Sequence, residues 1–100
     1  MVKLQVFSDR KNILPLIQDA ISFKIKRTKI GLNKTEDSIR KFEKLYKVSS
    51  TSFLNSYTAE DLTGGDNDYI SWMGEINLRE SLLEELNILN EIEYVPQRLS

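Results

Sequence analysis

Cysteine and histidine are both missing from this chain of 100 residues. Their absence removes disulfides, thiolate zinc sites, thiol nucleophiles, Ser-His triads and imidazole acid-base catalysis together. Carboxylates, lysines, tyrosines and hydroxyls are the remaining chemical actors. Long apolar runs are missing as well. The apolar run from Ile13 to Ala20 is interrupted by Gln18 and Asp19 and is far too short to cross a bilayer. The first residues, Met1 to Asp9, show neither the apolar segment nor the small-residue cleavage site of a secretory signal, so a cytoplasmic location and no membrane partner are expected.

What is present is ordinary for a globular chain. Hydrophobic residues make up 40% and charged residues 29%, which argues against intrinsic disorder. The length suits a single domain, 1-100, able to bury about two-thirds of its unfolded surface in a modest core without metal or cross-links. The net charge of -1 conceals a polarity. Between Lys24 and Lys47 nine basic residues stand against three acids, a local +6; between Ala59 and Glu93 ten acids stand against Arg79, a local -9. A basic segment is followed by an acidic one.

Periodicity supplies the architecture. Val2, Leu4 and Val6 alternate with Lys3 and Gln5, the period of a half-buried strand, and Ile92-Glu93-Tyr94-Val95 has similar character; the two could pair or could be plain termini. Ser8 to Asn12 offers capping side chains before a helix in which Pro15 is tolerated in the first turn. Leu14, Ile17, Ile21, Ile25, Leu32, Ile39, Phe42 and Tyr46 then recur on a three-four, coiled-coil-like spacing, with Thr28 and Thr35 as weak links. Gly31 to Asp37 could end one helix and cap another, but the seam keeps phase across it, which favours one continuous helix from about Asn12 to Tyr46. Ser49 and Ser50 can cap a short helix carrying Phe53, Leu54 and Tyr57. Thr58 to Asp68 reads as loop, with Gly64-Gly65 free to take positive φ and Asp66 or Asp68 as caps. Tyr69, Trp72, Met73, Ile76, Leu83 and Leu86, with Leu82 and Leu89 beside them, mark a last helix to about Glu93, beyond which Pro96 stops it. The fold expected is all-α: an antiparallel long-helix hairpin with a short connecting helix and possible short terminal β-strands. Opposite charges on the two long helices would face each other along the flanks.

No candidate site for chemistry emerges. Asp61, Asp66, Asp68 and Glu75 are the nearest approach to a metal site, but an EF-hand loop from Asp66 would need glycine where Ser71 stands and an acid where Asn77 stands. Gly64-Gly65 is followed by acids rather than the Lys-Ser or Lys-Thr of a phosphate-binding loop. No catalytic, metal or cofactor-binding residue is therefore expected, and the chain is read as a non-enzyme. Lys24, Lys26, Arg27, Lys29 and Lys34 spread around the helix at about 100° per residue rather than forming one nucleic-acid face. Nucleic-acid binding or structural self-association through the basic helix 24-47 remains the alternative function. The aromatic concentration of Tyr46, Phe53, Tyr57, Tyr69 and Trp72 is expected to cap the hairpin and to be the candidate partner-binding site.

From Phe42 to about Glu91 the sequence resembles a group of small prokaryotic helical proteins. The resemblance is carried by Phe42-Glu43-Lys44-Leu45-Tyr46, Ser49-Ser50-Thr51-Ser52-Phe53, Gly64-Gly65-Asp66-Asn67-Asp68, Tyr69-Ile70-Ser71-Trp72 and Leu82-Leu83-Glu84-Glu85-Leu86. Members of that group look like antitoxin partners of TumE-like toxins in paired operons. The resemblance implies an antitoxin-like, protein-binding role in a toxin-antitoxin system, with a cognate toxin-like protein as partner and no catalytic residues to carry over. The chain departs from the pattern in two places: Lys47 stands where a glycine usually follows the tyrosine, and the loop is one residue longer at Thr63-Gly64-Gly65. A homodimer is also expected, because two helices alone bury little apolar surface.

Overall fold

A computed structural model describes residues 1–97. The chain forms a strand β1 (Val2–Phe7), a long helix α1 (Ile13–Tyr46), a short helix α2 (Ser50–Ser56), a 3-10 turn (Ala59–Asp61), a second long helix α3 (Gly65–Asn90) and a strand β2 (Ile92–Gln97). The architecture is nearly all helical, with the two long helices in a hairpin-like arrangement. Phe42 near the end of α1 stacks on Trp72 near the start of α3, and Lys24 further back on α1 reaches Glu85 further along α3. The result is a rod of 66 × 20 × 18 Å. Its radius of gyration is 19.9 Å, against about 13 Å for a compact domain of this length.

Helix α1 runs unbroken through Gly31 to Thr35, a length of about 50 Å at 1.5 Å per residue. The seam that holds phase in the sequence is the face that packs. Ile21, Ile25, Leu32, Phe42 and Tyr46 are half-buried, and Thr28, Thr35 and Ile39 are buried completely. The two threonines, the least apolar members of the seam, are thus among its most covered. Their small side chains let α3 come close, and a Cβ added at neighbouring Gly31 would lie in ordinary contact, 3.5 Å from Leu82 Cδ1. The Thr28 hydroxyl is satisfied locally, donating to the Lys24 carbonyl at 2.8 Å.

Both ends of α1 differ from the capping pattern in the sequence. Asn12 occupies the N-cap position without a side-chain cap bond; Ser8 Oγ instead accepts the Arg10 N–H at 3.1 Å. At the other end Lys47 adopts φ 57°, ψ 37°, the left-handed conformation that terminates many helices. At this conformation the Lys47 Cβ meets the following carbonyl, a clash that glycine would avoid.

The buried face of α3 turns along its length. Tyr69, Trp72, Met73 and Ile76 face inward in the first half, and Leu82, Glu85, Leu86 and Leu89 in the second. Leu83, expected in the seam, is 41% exposed although it lies within about 20° of buried Ile76 on a helix of 100° per residue. The first half packs against both α1 and the connecting segment, whereas the second half meets α1 through Leu82 beside Gly31 and Glu85 beside Lys24. The helix ends at Asn90 rather than near Glu93 because Ile92 to Gln97 pairs with β1. The pairing is parallel, Val2 level with Ile92 and Leu4 with Tyr94, so the helical segment between serves as the crossover. Flank electrostatics contribute little. Among the described residues one ion pair links α1 to α3, Lys24 Nζ to Glu85 Oε1 at 3.0 Å, and such exposed pairs are worth about 0–1 kcal/mol. No helix among the described residues is long and apolar enough to cross a membrane.

Two substitutions test this packing by thermal or urea unfolding. Lys47→Gly should stabilise the protein by about 0.5–1 kcal/mol, the left-handed strain relieved less the added chain entropy; an unchanged or lower midpoint contradicts the assignment. Thr35→Leu, which would improve the seam by hydrophobicity alone, should instead cost about 1–3 kcal/mol through overpacking.

Candidate partner-binding surfaces

The elbow between the long helices is built around one ring system. Trp72 is fully buried. Phe53 from α2 stacks on it at 4.0 Å between ring centroids and 3° between planes, with Phe42 at 5.5 Å and Tyr46 at 5.8 Å from α1. Tyr69 tilts against Phe53 at 5.3 Å. Each such pair adds about 0.5–1.5 kcal/mol beyond its burial. A buried indole also needs an acceptor for its N–H, and Trp72 Nε1 donates to Ser50 Oγ at 3.0 Å. Ser50 is held in turn by Glu43, whose Oε2 accepts the Ser50 backbone N–H at 2.8 Å. Ser49 is the true cap of α2, its Oγ accepting from the Ser52 N–H at 3.1 Å. Adjacent serines that read alike in the sequence therefore divide the work, one capping the helix and one satisfying the tryptophan.

The acidic loop is consumed by similar local bonds. Tyr46 donates its hydroxyl proton to Asp68 Oδ2 and accepts the Gly64 N–H at 3.0 Å, tying the end of α1 to the start of α3. Asp68 is thus a partner of Tyr46 and not a helix cap; Gly64 holds the N-cap position, with no side-chain cap bond. Asp61 Oδ2 accepts from the backbone N–H and hydroxyl of Thr58, closing the 3-10 turn. Glycine is needed twice in succession here. Gly65 takes φ +59°, and a Cβ on Gly64 would run into the Asp68 carboxylate that Tyr46 holds in place. Among the described residues no three acids converge on a point that could hold a metal ion.

These positions decide which aromatic residues can touch a partner. Phe53 and Trp72 have no exposed surface and act as core; Tyr46, Tyr57 and Tyr69 are half-buried around them. Exposed apolar side chains lie around the elbow, at Leu45, Leu54 and Ile70, as well as along the long helices. On the outer face of α1, Leu16, Phe23 and Ile30 recur every seven residues and are 61%, 62% and 57% exposed. Phe23 and Ile30 line an open groove of about 520 Å³ with Lys26, Arg27, Gly31 and Lys34. The sequence reading spread these basic residues around the helix, yet three of the five share this groove, while Lys24 is taken by Glu85. A second apolar series at seven-residue spacing was present in the sequence, masked by the stronger seam on the opposite side.

The Trp72–Ser50 bond can be weighed directly. Ser50→Ala, which strands the indole N–H, should cost about 1–3 kcal/mol in urea unfolding followed by helical circular dichroism, and Trp72→Phe made in the Ser50→Ala background should restore part of that loss relative to simple additivity. Full additivity would show the two groups do not interact. Comparison of the chain with protein-family models, with curated proteins and with solved structures found no match.

Proposed function

We propose that this chain is a non-enzymatic protein-binding module, an antiparallel two-rod hairpin acting in the cytoplasm as the antitoxin-like partner of a toxin encoded beside it. The observation that carries the reading is the seven-residue stripe of Leu16, Phe23 and Ile30 facing solvent on a rod whose own core lies on the other side. An exposed apolar row of this kind often marks contact with another protein. Lys26, Arg27 and Lys34 along the same groove favour a partner surface that is apolar with an acidic rim. The resemblance over Phe42 to Glu91 points to a toxin as that partner. A homodimer belongs to the same reading.

The groove also supports a second reading. Three basic side chains sharing a groove with an exposed aromatic ring have the makings of a single-stranded nucleic-acid contact.

Co-expression with the product of the neighbouring gene should yield a complex that co-elutes through affinity and sizing columns. Phe23→Asp with Ile30→Asp should weaken it by about thirtyfold, the equivalent of about 2 kcal/mol lost at a hot spot, with unchanged helical circular dichroism. Absence of any complex with the neighbouring product sinks the antitoxin reading. Salt-dependent RNA or DNA binding, abolished by Lys26→Glu with Arg27→Glu, would favour the second reading instead.

A further inference from the structure

The two-stranded sheet at the far end of the rod is an unusual unit. Parallel strands are normally buried within larger sheets, and two strands alone are marginally stable. The backbone bonding of this sheet shows which edge is open. Val2 N–H donates to the Glu91 carbonyl at 3.0 Å, and Val2 is level with Ile92. Backbone groups alternate in direction along a strand, so Val2, Leu4 and Val6 turn their N–H and C=O toward β2, whereas Lys3, Gln5 and Phe7 turn theirs away. On β2 the same alternation turns Ile92, Tyr94 and Pro96 outward.

Proline has no N–H to offer, so the outer edge of β2 is blunted in the way natural edge strands often are. The outer edge of β1 has no such protection. It presents three successive outward residues with neither proline nor bulge, and their amides make no bond to a turn or loop among the described residues.

We propose that the chain associates with a second copy of itself through this edge of β1, joining two sheets into one four-stranded sheet about a two-fold axis at Gln5. The inference rests on the protein-binding reading above and makes its homodimer specific. The edge is self-complementary. Rotation about Gln5 sets Gln5 opposite Gln5 and Lys3 opposite Phe7, so every outward N–H and C=O of the three residues finds a partner. The two Lys3 ammonium groups stay about 13 Å apart at 3.3 Å per residue. Leu4 and Val6, half-buried on one face of β1, come beside Val6 and Leu4 of the second copy and continue the apolar face. Such two-fold pairing is the commonest form of self-association.

Sizing with light scattering on the full chain at micromolar concentration should give twice the chain mass. Gln5→Pro, which removes an outward N–H while leaving the β1–β2 bonds intact, should give the monomer with unchanged helical circular dichroism. Because the chain has no cysteine, a register test is available that does not depend on that variant. Gln5→Cys should form a disulfide-linked dimer on mild oxidation, the facing Cα atoms lying about 5.5 Å apart. Lys3→Cys alone should not, but should cross-link to Phe7→Cys when the two proteins are mixed. A dimer that survives Gln5→Pro and does not cross-link through Gln5→Cys overturns the edge proposal and leaves the homodimer standing. A strict monomer overturns both, leaving toxin binding to be judged by co-elution; a monomer whose β1 edge is taken by a segment of the toxin refutes self-pairing as well.

Discussion

The burial of one indole ring governs this structure. Trp72 comes from the first turns of α3, its stacking partners from α1 and α2, and its hydrogen-bond acceptor from the first residue of α2. No two of these elements could keep their places without the third, because leaving a buried N–H unpaired costs about as much as a good packing contact yields. Glu43 extends the constraint back into α1 by fixing the Ser50 backbone. Tyr46 repeats it on the other side of the elbow through Asp68 and Gly64. The turn of the hairpin is therefore set by polar groups with definite directions, and the aromatic rings fill the volume those groups define.

With the elbow fixed, the rest of the rod is a narrow interface. Residues with little bulk, Thr28, Gly31 and Thr35, occupy the middle of the α1 seam, and Leu82 from α3 lies over Gly31. Among the described residues five hydrophobic side chains are buried, all near the elbow, so stability is concentrated at one end. The opposite end is closed by backbone hydrogen bonding between β1 and β2. The rod is thus fastened at both extremities and thin between them, which leaves long outer faces for other molecules. The apolar stripe on α1 and the open edge of β1 are consequences of this economy of core.

Much of the architecture could be read from spacing alone. The continuity of α1 follows from a seam that stays in phase past Gly31, and the elbow follows from the clustering of Ser49, Ser50, Phe53, Tyr69 and Trp72. Other features were invisible to spacing. Leu83 has the spacing of a seam residue yet lies outside the seam, since helical phase cannot report that the neighbours of a helix change along its length. The exposed stripe of Leu16, Phe23 and Ile30 is hard to tell from the seam, because periodicity shows apolar rows without showing which of them is covered. Ser50 gave no local sign of its role, for its partner lies 22 residues away.

The sequence by itself determined the helical character, the segregation of basic from acidic helix and the exclusion of thiol and imidazole chemistry, because these depend on residue type and on short-range periodicity. Only the tertiary structure decided that the terminal strands pair, that they pair in parallel, and which aromatic side chains are core and which are surface. Those outcomes depend on what a residue meets across the fold, and the identity of a distant neighbour is not written in the local pattern.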